Sequence, residues 1–344
     1  MPTSLIIGGT RNLGPDIASA LLDAGFTVTL FNRGVTPAAA LPASVERLKG
    51  DRSEASALSS ALGSRSFDAV IDTTLYNGRD AEAAARIFED RTGRYIMLST
   101  GQVYLVRAGP ERPFTESDYE GPTIPAPTDS KFDLDNWSYG MNKRAAEDGL
   151  MAARFPVTIL RLPMVNSERD HFHRICNYLA RVLDGGPIIV PDGPHLPLRH
   201  VYGKDAVRAV MRAVSAGIDG AFNVGQDETL SIDDFLSKAG AAHIAPIPAR
   251  FLWERGLMPN CSPFSEPWMS TLDNRLGKEV LGLAYTPFDT CLATLMGDFR
   301  ANPQPPPGYG QRPLELAAYR YWAGRVPQEN LHRTGGQATR SWRA

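Results

Sequence analysis

Ser4-Leu-Ile-Ile-Gly-Gly-Thr-Arg-Asn-Leu-Gly14 is the stretch that decides the fold. An apolar run runs straight into a glycine-rich turn. Beyond the turn, Ile17, Leu21 and Ala24 recur at helical spacing as far as Gly25, where a helix would end. Strand, glycine turn and helix in that order let a backbone approach an anionic diphosphate, which the helix N-terminus then faces with its positive end.

Outward from this unit the pattern repeats. Thr27-Val-Thr-Leu-Phe31, Val45-Glu-Arg-Leu48, Asp68-Ala-Val-Ile-Asp72, Tyr95-Ile-Met-Leu-Ser99 and Val157-Thr-Ile-Leu-Arg161 are short runs, mostly apolar, separated by helical stretches. Continuous apolar runs mark strands buried on both faces, and the alternation predicts parallel strands with right-handed helical crossovers. The expected class is α/β: a doubly wound, Rossmann-type parallel sheet with a smaller, discontinuous C-terminal substrate lobe. Regularity fades after Pro163, where proline and glycine cluster, and Ala221-Phe-Asn-Val-Gly225 is a further strand candidate that rejoins the sheet. The expected partition is a dinucleotide-binding domain over 1–165 and about 201–225, a substrate lobe over about 166–200 and 226–300, and a C-terminal extension over 301–344.

A chain of 344 residues exceeds the size at which one core stops growing, which fits a large domain plus a lobe. With 43% hydrophobic and 22% charged residues it reads as globular, and a net charge of -2 supplies no basic field for nucleic acid or an anionic membrane. Cys176, Cys261 and Cys291 are odd in number and far apart, as free thiols in a reducing compartment would be. No basic leader precedes Ser4, and no apolar run approaches the roughly 20 residues that cross a bilayer, so a cytoplasmic location is expected. His171-Phe-His173 lacks a third ligand, so no metal site is expected. Tyr309, Tyr319, Tyr321 and Trp322 are candidates to cover the core or to form a homodimer contact.

The turn residues Gly8, Thr10, Arg11, Asn12, Leu13 and Gly14 are the candidate dinucleotide cradle, with Arg11 where the usual fingerprint has its middle glycine. At the end of the second strand, where an NAD enzyme carries a carboxylate for the ribose 2′-hydroxyl, this chain has Asn32-Arg33. Two guanidinium groups, Arg11 and Arg33, without a repelling carboxylate suit a 2′-phosphate, so NADP is expected over NAD. Asp51, followed by Arg52, stands where a carboxylate accepts from the adenine amino group, or else caps the following helix. Thr73 and Thr74 end the fourth strand and would line the cofactor channel.

Tyr139 and Lys143 lie one turn apart on a strongly helical stretch. Lowering a tyrosine from its free pKa of about 10 to about 7 takes roughly 4 kcal/mol of preference for the phenolate. A neighbouring ammonium and a positive nicotinamide ring have the sign and size for this. The pair can then exchange a proton with a substrate hydroxyl or carbonyl. The fifth strand runs into Ser99-Thr100-Gly101-Gln102-Val103-Tyr104, which puts the Thr100 hydroxyl at the carboxyl edge where open α/β sheets bind ligands.

These elements in this order resemble the extended, epimerase-like branch of the short-chain dehydrogenase/reductase superfamily, over roughly residues 4 to 300. The resemblance rests on the glycine turn, Asp51, Ser99 to Tyr104, Tyr139-x-x-x-Lys143, Leu160-Arg161-Leu162-Pro163-Met164-Val165 and Arg199-His200-Val201-Tyr202. It implies Thr100, Tyr139 and Lys143 as the catalytic set, Ser99 beside the cofactor, and a carboxamide loop at Pro163 to Val165. It implies Arg199 as a match for an arginine that often holds a nucleotide-sugar diphosphate. His200 and Gln102 join Thr100 and Arg199 as substrate-facing candidates.

The turn variant, the stretch Asn77-Gly78-Arg79-Asp80-Ala81 and Trp268 to Leu283 resemble an atypical subgroup that includes chloroplast stem-loop RNA-binding proteins. Several members of that subgroup have lost the tyrosine–lysine pair, which this chain keeps. The sugar 4,6-dehydratases carry an Asp-Glu pair where Gly101 and Gln102 stand here, so dehydration is not expected. The leading reading is an NADP-dependent oxidoreductase or epimerase acting on a secondary alcohol or ketone of a polar small molecule, sugar-like or nucleotide-linked. Its rival is a non-catalytic dinucleotide-sensing or RNA-binding protein.

Overall fold

The computed structural model describes residues 1–37 and 40–324, so positions 325–344 of the expected C-terminal extension lie outside the described residues. The strands are β1 (Thr3–Ile7), β2 (Thr27–Asn32), β3 (Glu46–Lys49), β4 (Ala69–Asp72), β5 (Tyr95–Thr100), β6 (Val157–Leu162), β7 (Val165–Asn166), β8 (Ile188–Pro191), β9 (Val201–Tyr202), β10 (Gly220–Asn223) and β11 (Ile244–Ile247). The helices are α1 (Gly14–Asp23), α2 (Ala55–Leu62), α3 (Gly78–Phe88), α4 (Gln102–Leu105), α5 (Lys131–Met151), α6 (Arg174–Leu183), α7 (Gly203–Ala216), α8 (Ile232–Lys238), α9 (Ala249–Glu254), α10 (Arg275–Leu281), α11 (Phe288–Ala301) and α12 (Arg312–Ala323).

The chain divides into two compact units. The first comprises Met1–His171, Arg199–Asp227 and Ser270–Thr286. Its centre is a seven-stranded sheet in the order β10-β6-β5-β4-β1-β2-β3, every pair parallel. Successive strand residues face opposite ways, so one face buries Ile6, Leu30, Ile71 and Ile96 against Ile17 and Leu21 of α1 and Ala206 and Val210 of α7. The other face buries Leu5, Ile7, Val70 and Met97 against Leu58 of α2, Ala84 and Phe88 of α3 and Leu150 of α5. The order of strands reverses between β1 and β4, which is where doubly wound sheets open a crevice at their carboxyl edge. Ser270–Thr286 lies in this unit, although the sequence reading placed 226–300 in the smaller lobe. The Phe114 amide donates to the Thr271 carbonyl (2.8 Å) and the Asp273 amide to the Phe114 carbonyl (2.8 Å), which stitches the segment down.

The second unit comprises Phe172–Leu198, Glu228–Met269 and, among the described residues, 287–324. It holds the parallel pair β8–β11 and the helices α6, α8, α9, α11 and α12. Ile189, Ile247, Leu252 and Met258 form its core, on which Tyr319 and Trp322 of α12 pack. Arg181 and Glu315 form a fully buried ion pair between α6 and α12, and Arg312 reaches Asp184 at 2.6 Å. The three cysteines are free thiols, and among the described residues no helix is long and apolar enough to cross a membrane.

Candidate active site at the carboxyl edge of the sheet

The turn after β1 depends on its glycines. Gly8 and Gly9 have φ of 90° and 75°, and Asn12 is left-handed at 49°. A Cβ on Gly14 would fall 2.3 Å from the backbone carbon of Gly9, so the strand exit and the start of α1 approach as only glycine allows. A Cβ on Gly8 would fall 2.4 Å from Thr73 Oγ1. No side chain caps α1. Its N-terminus and the bare glycine backbone together could hold a diphosphate.

Thr73 secures that cradle: its hydroxyl donates to the Ile7 carbonyl (2.9 Å) and accepts from the Gly9 amide (3.1 Å). Thr74 flanks Gly8. Thr10 is half-buried and Arg11 exposed, while Leu13 is a core residue. Asn12 Oδ1 accepts from the Ser167 hydroxyl (3.0 Å), which holds the left-handed residue in place.

Past β2, Asn32 Oδ1 accepts from the Gly34 amide (2.7 Å), and Arg33 is exposed. Asp51 accepts from the Ser53 amide (3.0 Å) and hydroxyl (2.8 Å). Those bonds, with the Arg33 and Arg52 charges behind them, hold its carboxyl below the usual range. Arg52 turns inward instead of lining the crevice. Its guanidinium lies 3.1 Å from the buried Asp72 carboxylate and 3.9 Å from Asp80. Asp72 also accepts from the Tyr95 hydroxyl (2.5 Å) and the Thr74 amide (2.8 Å).

The candidate acid/base group comes from α5, which begins with the Ser130 hydroxyl accepting from the Asp133 amide (3.2 Å). At Gly140 a Cβ would fall 2.8 Å from the Gln102 carbonyl oxygen, so α5 runs against the backbone of α4, just beyond Thr100. Lys143 is 2% exposed and donates to the carbonyls of Leu98 (2.7 Å) and Leu75 (2.9 Å). Burial pulls its pKa down to about 8, against the raising effect of Asp72 and Glu147. One turn earlier Tyr139 is 37% exposed. The Thr100 hydroxyl accepts from the Gln102 amide (3.2 Å). Ser99 points the other way, as strand alternation requires, and its hydroxyl donates to buried Glu147, which also pairs with Arg161 at 2.7 Å. Pro163 follows β6 directly, and Val165 opens β7, whose partner is Val201.

The sequence profile of the NAD dependent epimerase/dehydratase family matches residues 4–225. The chain belongs to that family. The family comprises NAD(P)-dependent enzymes of the extended short-chain dehydrogenase/reductase type. A chloroplast stem-loop binding protein of 41 kDa from Arabidopsis thaliana is 37% identical over 115 residues, 29% of this chain and 30% of that protein. A 2'-dehydrokanamycin reductase from Streptomyces kanamyceticus is 30% identical over 151 residues, 43% of this chain and 38% of that one. The chain therefore matches well under half the length of either relative. Among solved structures, the Bordetella bronchiseptica enzyme WbmG in complex with NAD and UDP superposes with a TM-score of 0.69 at 20% identity, covering 87% of this chain and 94% of that one. The UDP-glucose 4-epimerase of Thermotoga maritima, with UDP-glucose, superposes at 0.66 and 17% identity, covering 88% of this chain and 100% of that one. At these identities the likeness is one of fold.

In this short-chain dehydrogenase/reductase a Cβ on Gly101 would fall 2.1 Å from Ser270 Oγ, so no side chain fits where a dehydratase carries its acid. Arg199 commits Nε to the Gln226 carbonyl (2.8 Å) and Nη2 to Asn274 Oδ1 (3.2 Å), within the field of Asp227 and Asp273. His200 is 3% exposed, with Nδ1 3.0 Å from Asn166 Nδ2, which places it in the framework under the site. Asn136 escaped sequence reasoning: it bonds Gln102 and stands one turn before Tyr139, and that spacing was the signal for it.

Proposed function

We propose that the chain is an NADP-dependent oxidoreductase, a reductase or dehydrogenase or an epimerase of the same chemistry, acting on a secondary alcohol or ketone of a polar, sugar-like substrate. The observation that carries this reading is Lys143: a nearly dry ammonium held by Leu98 and Leu75, one turn from the accessible Tyr139. A positive charge in a low-dielectric setting favours an anion beside it, which suits Tyr139 to the role of proton donor or acceptor. Thr100 supplies the hydroxyl that orients the substrate oxygen toward Tyr139.

The glycine cradle with the α1 N-terminus suits the cofactor diphosphate, and the exposed Arg11 and Arg33 suit a 2′-phosphate. Asp51 and the backbone of Pro163 to Val165 complete the assignment of the adenine and carboxamide ends. When bound, the cofactor supplies or accepts the hydride. The engagement of Arg199 with Gln226 and Asn274 argues for a substrate held without a diphosphate clamp. The relative named 2'-dehydrokanamycin reductase supports the reductase reading.

Absorbance at the NADPH band with a panel of polar ketones tests the reading. Stoichiometric oxidation is expected. Binding of NADPH without oxidation of any ketone, together with retention of a stem-loop RNA, would favour the RNA-binding reading that the chloroplast relative suggests.

A further inference from the structure

Three consecutive residues after β7 each engage a different element around the glycine turn. The Ser167 hydroxyl donates to Asn12 Oδ1 (3.0 Å), across 155 positions of sequence. Glu168 accepts from the Tyr202 hydroxyl (2.7 Å) and lies 3.3 Å from the Lys204 ammonium, where β9 passes into α7. Arg169 donates Nε to Asp16 (3.3 Å) in the first turn of α1. The Asp170 amide closes the segment on itself by donating to the Ser167 carbonyl (3.1 Å). These contacts are not equal. Arg169 and Asp16 are 46% and 38% exposed, so water and salt weaken their pairing. Ser167 is 8% exposed. A Cβ on Gly203 would fall 2.5 Å from Ser167 Cβ and 3.4 Å from Leu13 Cδ2, so the start of α7 packs against both and confines the serine.

The partner of Ser167 is the strained residue of the turn. Asn12 is left-handed at φ 49°, a conformation that Gly8 and Gly9 share without a side chain to oppose it. Asparagine tolerates this region better than other L-residues when its short amide finds a hydrogen-bond partner. The dihedrals of Asn12 set the directions of the peptide planes on either side of it, and those planes belong to the cradle assigned to the diphosphate. Ser167 also lies two residues beyond the Pro163 to Val165 loop assigned to the carboxamide. One hydroxyl thus joins the two ends of the assigned cofactor site.

We propose that Ser167 is a positioning residue for the dinucleotide: acting through Asn12, it keeps the glycine turn in the backbone conformation that receives the diphosphate. The inference rests on the cofactor assignment above and adds a residue that acts at one remove from it. Where the turn leaves this conformation in part of the molecules, the apparent affinity falls with the competent fraction. The diphosphate is common to NADPH and NADH, so both should suffer alike.

The test is calorimetric titration of the full chain with NADPH and with NADH. Ser167→Ala should weaken both by the same factor, roughly 3- to 10-fold, which is the range of one lost hydrogen bond, with their ratio unchanged. Glycine adopts the left-handed conformation unaided, so in an Asn12→Gly background the serine substitution should leave both affinities where Asn12→Gly alone sets them. Should Ser167→Ala fail to fold, Ser167→Cys, whose thiol is a weak donor, takes its place in both backgrounds. Unchanged dissociation constants beside a lower melting temperature would make the serine purely structural and overturn the proposal. An equal loss in both backgrounds, or a loss confined to NADPH, also overturns it while leaving the cofactor assignment intact. A wild type that binds neither nucleotide overturns that assignment and the proposal with it.

Discussion

Lys143 Nζ donates to the Leu98 carbonyl across 2.7 Å, which places a lysine ammonium inside the sheet edge two residues before Thr100. A second carbonyl, Leu75, accepts from it at 2.9 Å. The carboxylates of Asp72 and Glu147 act on the same charge, while Arg52 opposes them. The lysine is therefore balanced between burial, which expels its proton, and a local field that retains it.

A pH dependence follows. With Lys143 at about 8, ketone reduction needs both its ammonium and a protonated Tyr139, so kcat/KM should fall as pH rises through about 8. Asp72→Asn removes a charge that favours the ammonium and should move the fall to lower pH. The same depression below 10.5 means the unfolded chain binds the extra proton between these values, so this group's contribution to stability rises with pH across that window. Rate profiles of wild type and variant check the first point, and chemical unfolding at pH 8 and 10 checks the second.

Glu147 and Arg161 form an ion pair in which both side chains are at most 4% exposed. Glu147→Leu leaves the guanidinium buried without its carboxylate, and a loss of about 3–5 kcal/mol is expected. The double variant Glu147→Leu/Arg161→Met should lose less than the single one. Urea unfolding of the three proteins makes the comparison.

At Gly14 the obstacle to a methyl group is backbone, which cannot swing aside. Gly14→Ala should lose about 1–3 kcal/mol of stability by overpacking and should weaken cofactor binding by distorting the cradle. Calorimetric titration with NADPH, beside a melting curve, separates the two effects.

Arg33 is exposed beside Asp51 and would meet the 2′-phosphate in the open. Arg33→Asp replaces a charge-assisted contact with repulsion, so the NADP:NAD affinity ratio should fall by roughly 10- to 100-fold. Competition by 2′,5′-ADP against NADPH should weaken in parallel.

The sheet could be read from sequence because strands buried on both faces leave apolar runs, and Gly8, Gly9 and Gly14 are required by the backbone itself. The direction of polar side chains was harder to read. Ser99 and Thr100 are neighbours on one strand and so face opposite ways, which the motif alone does not show. Arg52 is drawn inward by Asp72, twenty positions later in the chain and adjacent only after β4 is in place. Arg199 and His200 meet Asn274 and Asn166, partners that no local pattern announces. Gln102 meets Asn136 only across the contact between α4 and α5.

The account rests on proton exchange at Tyr139, and the most direct measurement is single-turnover NADPH oxidation by wild type and Tyr139→Phe with a ketone that the wild type reduces, alongside the NADPH dissociation constant of each. Phenylalanine keeps the ring and removes the hydroxyl, so the rate should fall by at least about 100-fold, within the usual range for loss of a general acid, with the dissociation constant changed less than about twofold. A variant that reduces the ketone at the wild-type rate would contradict the account.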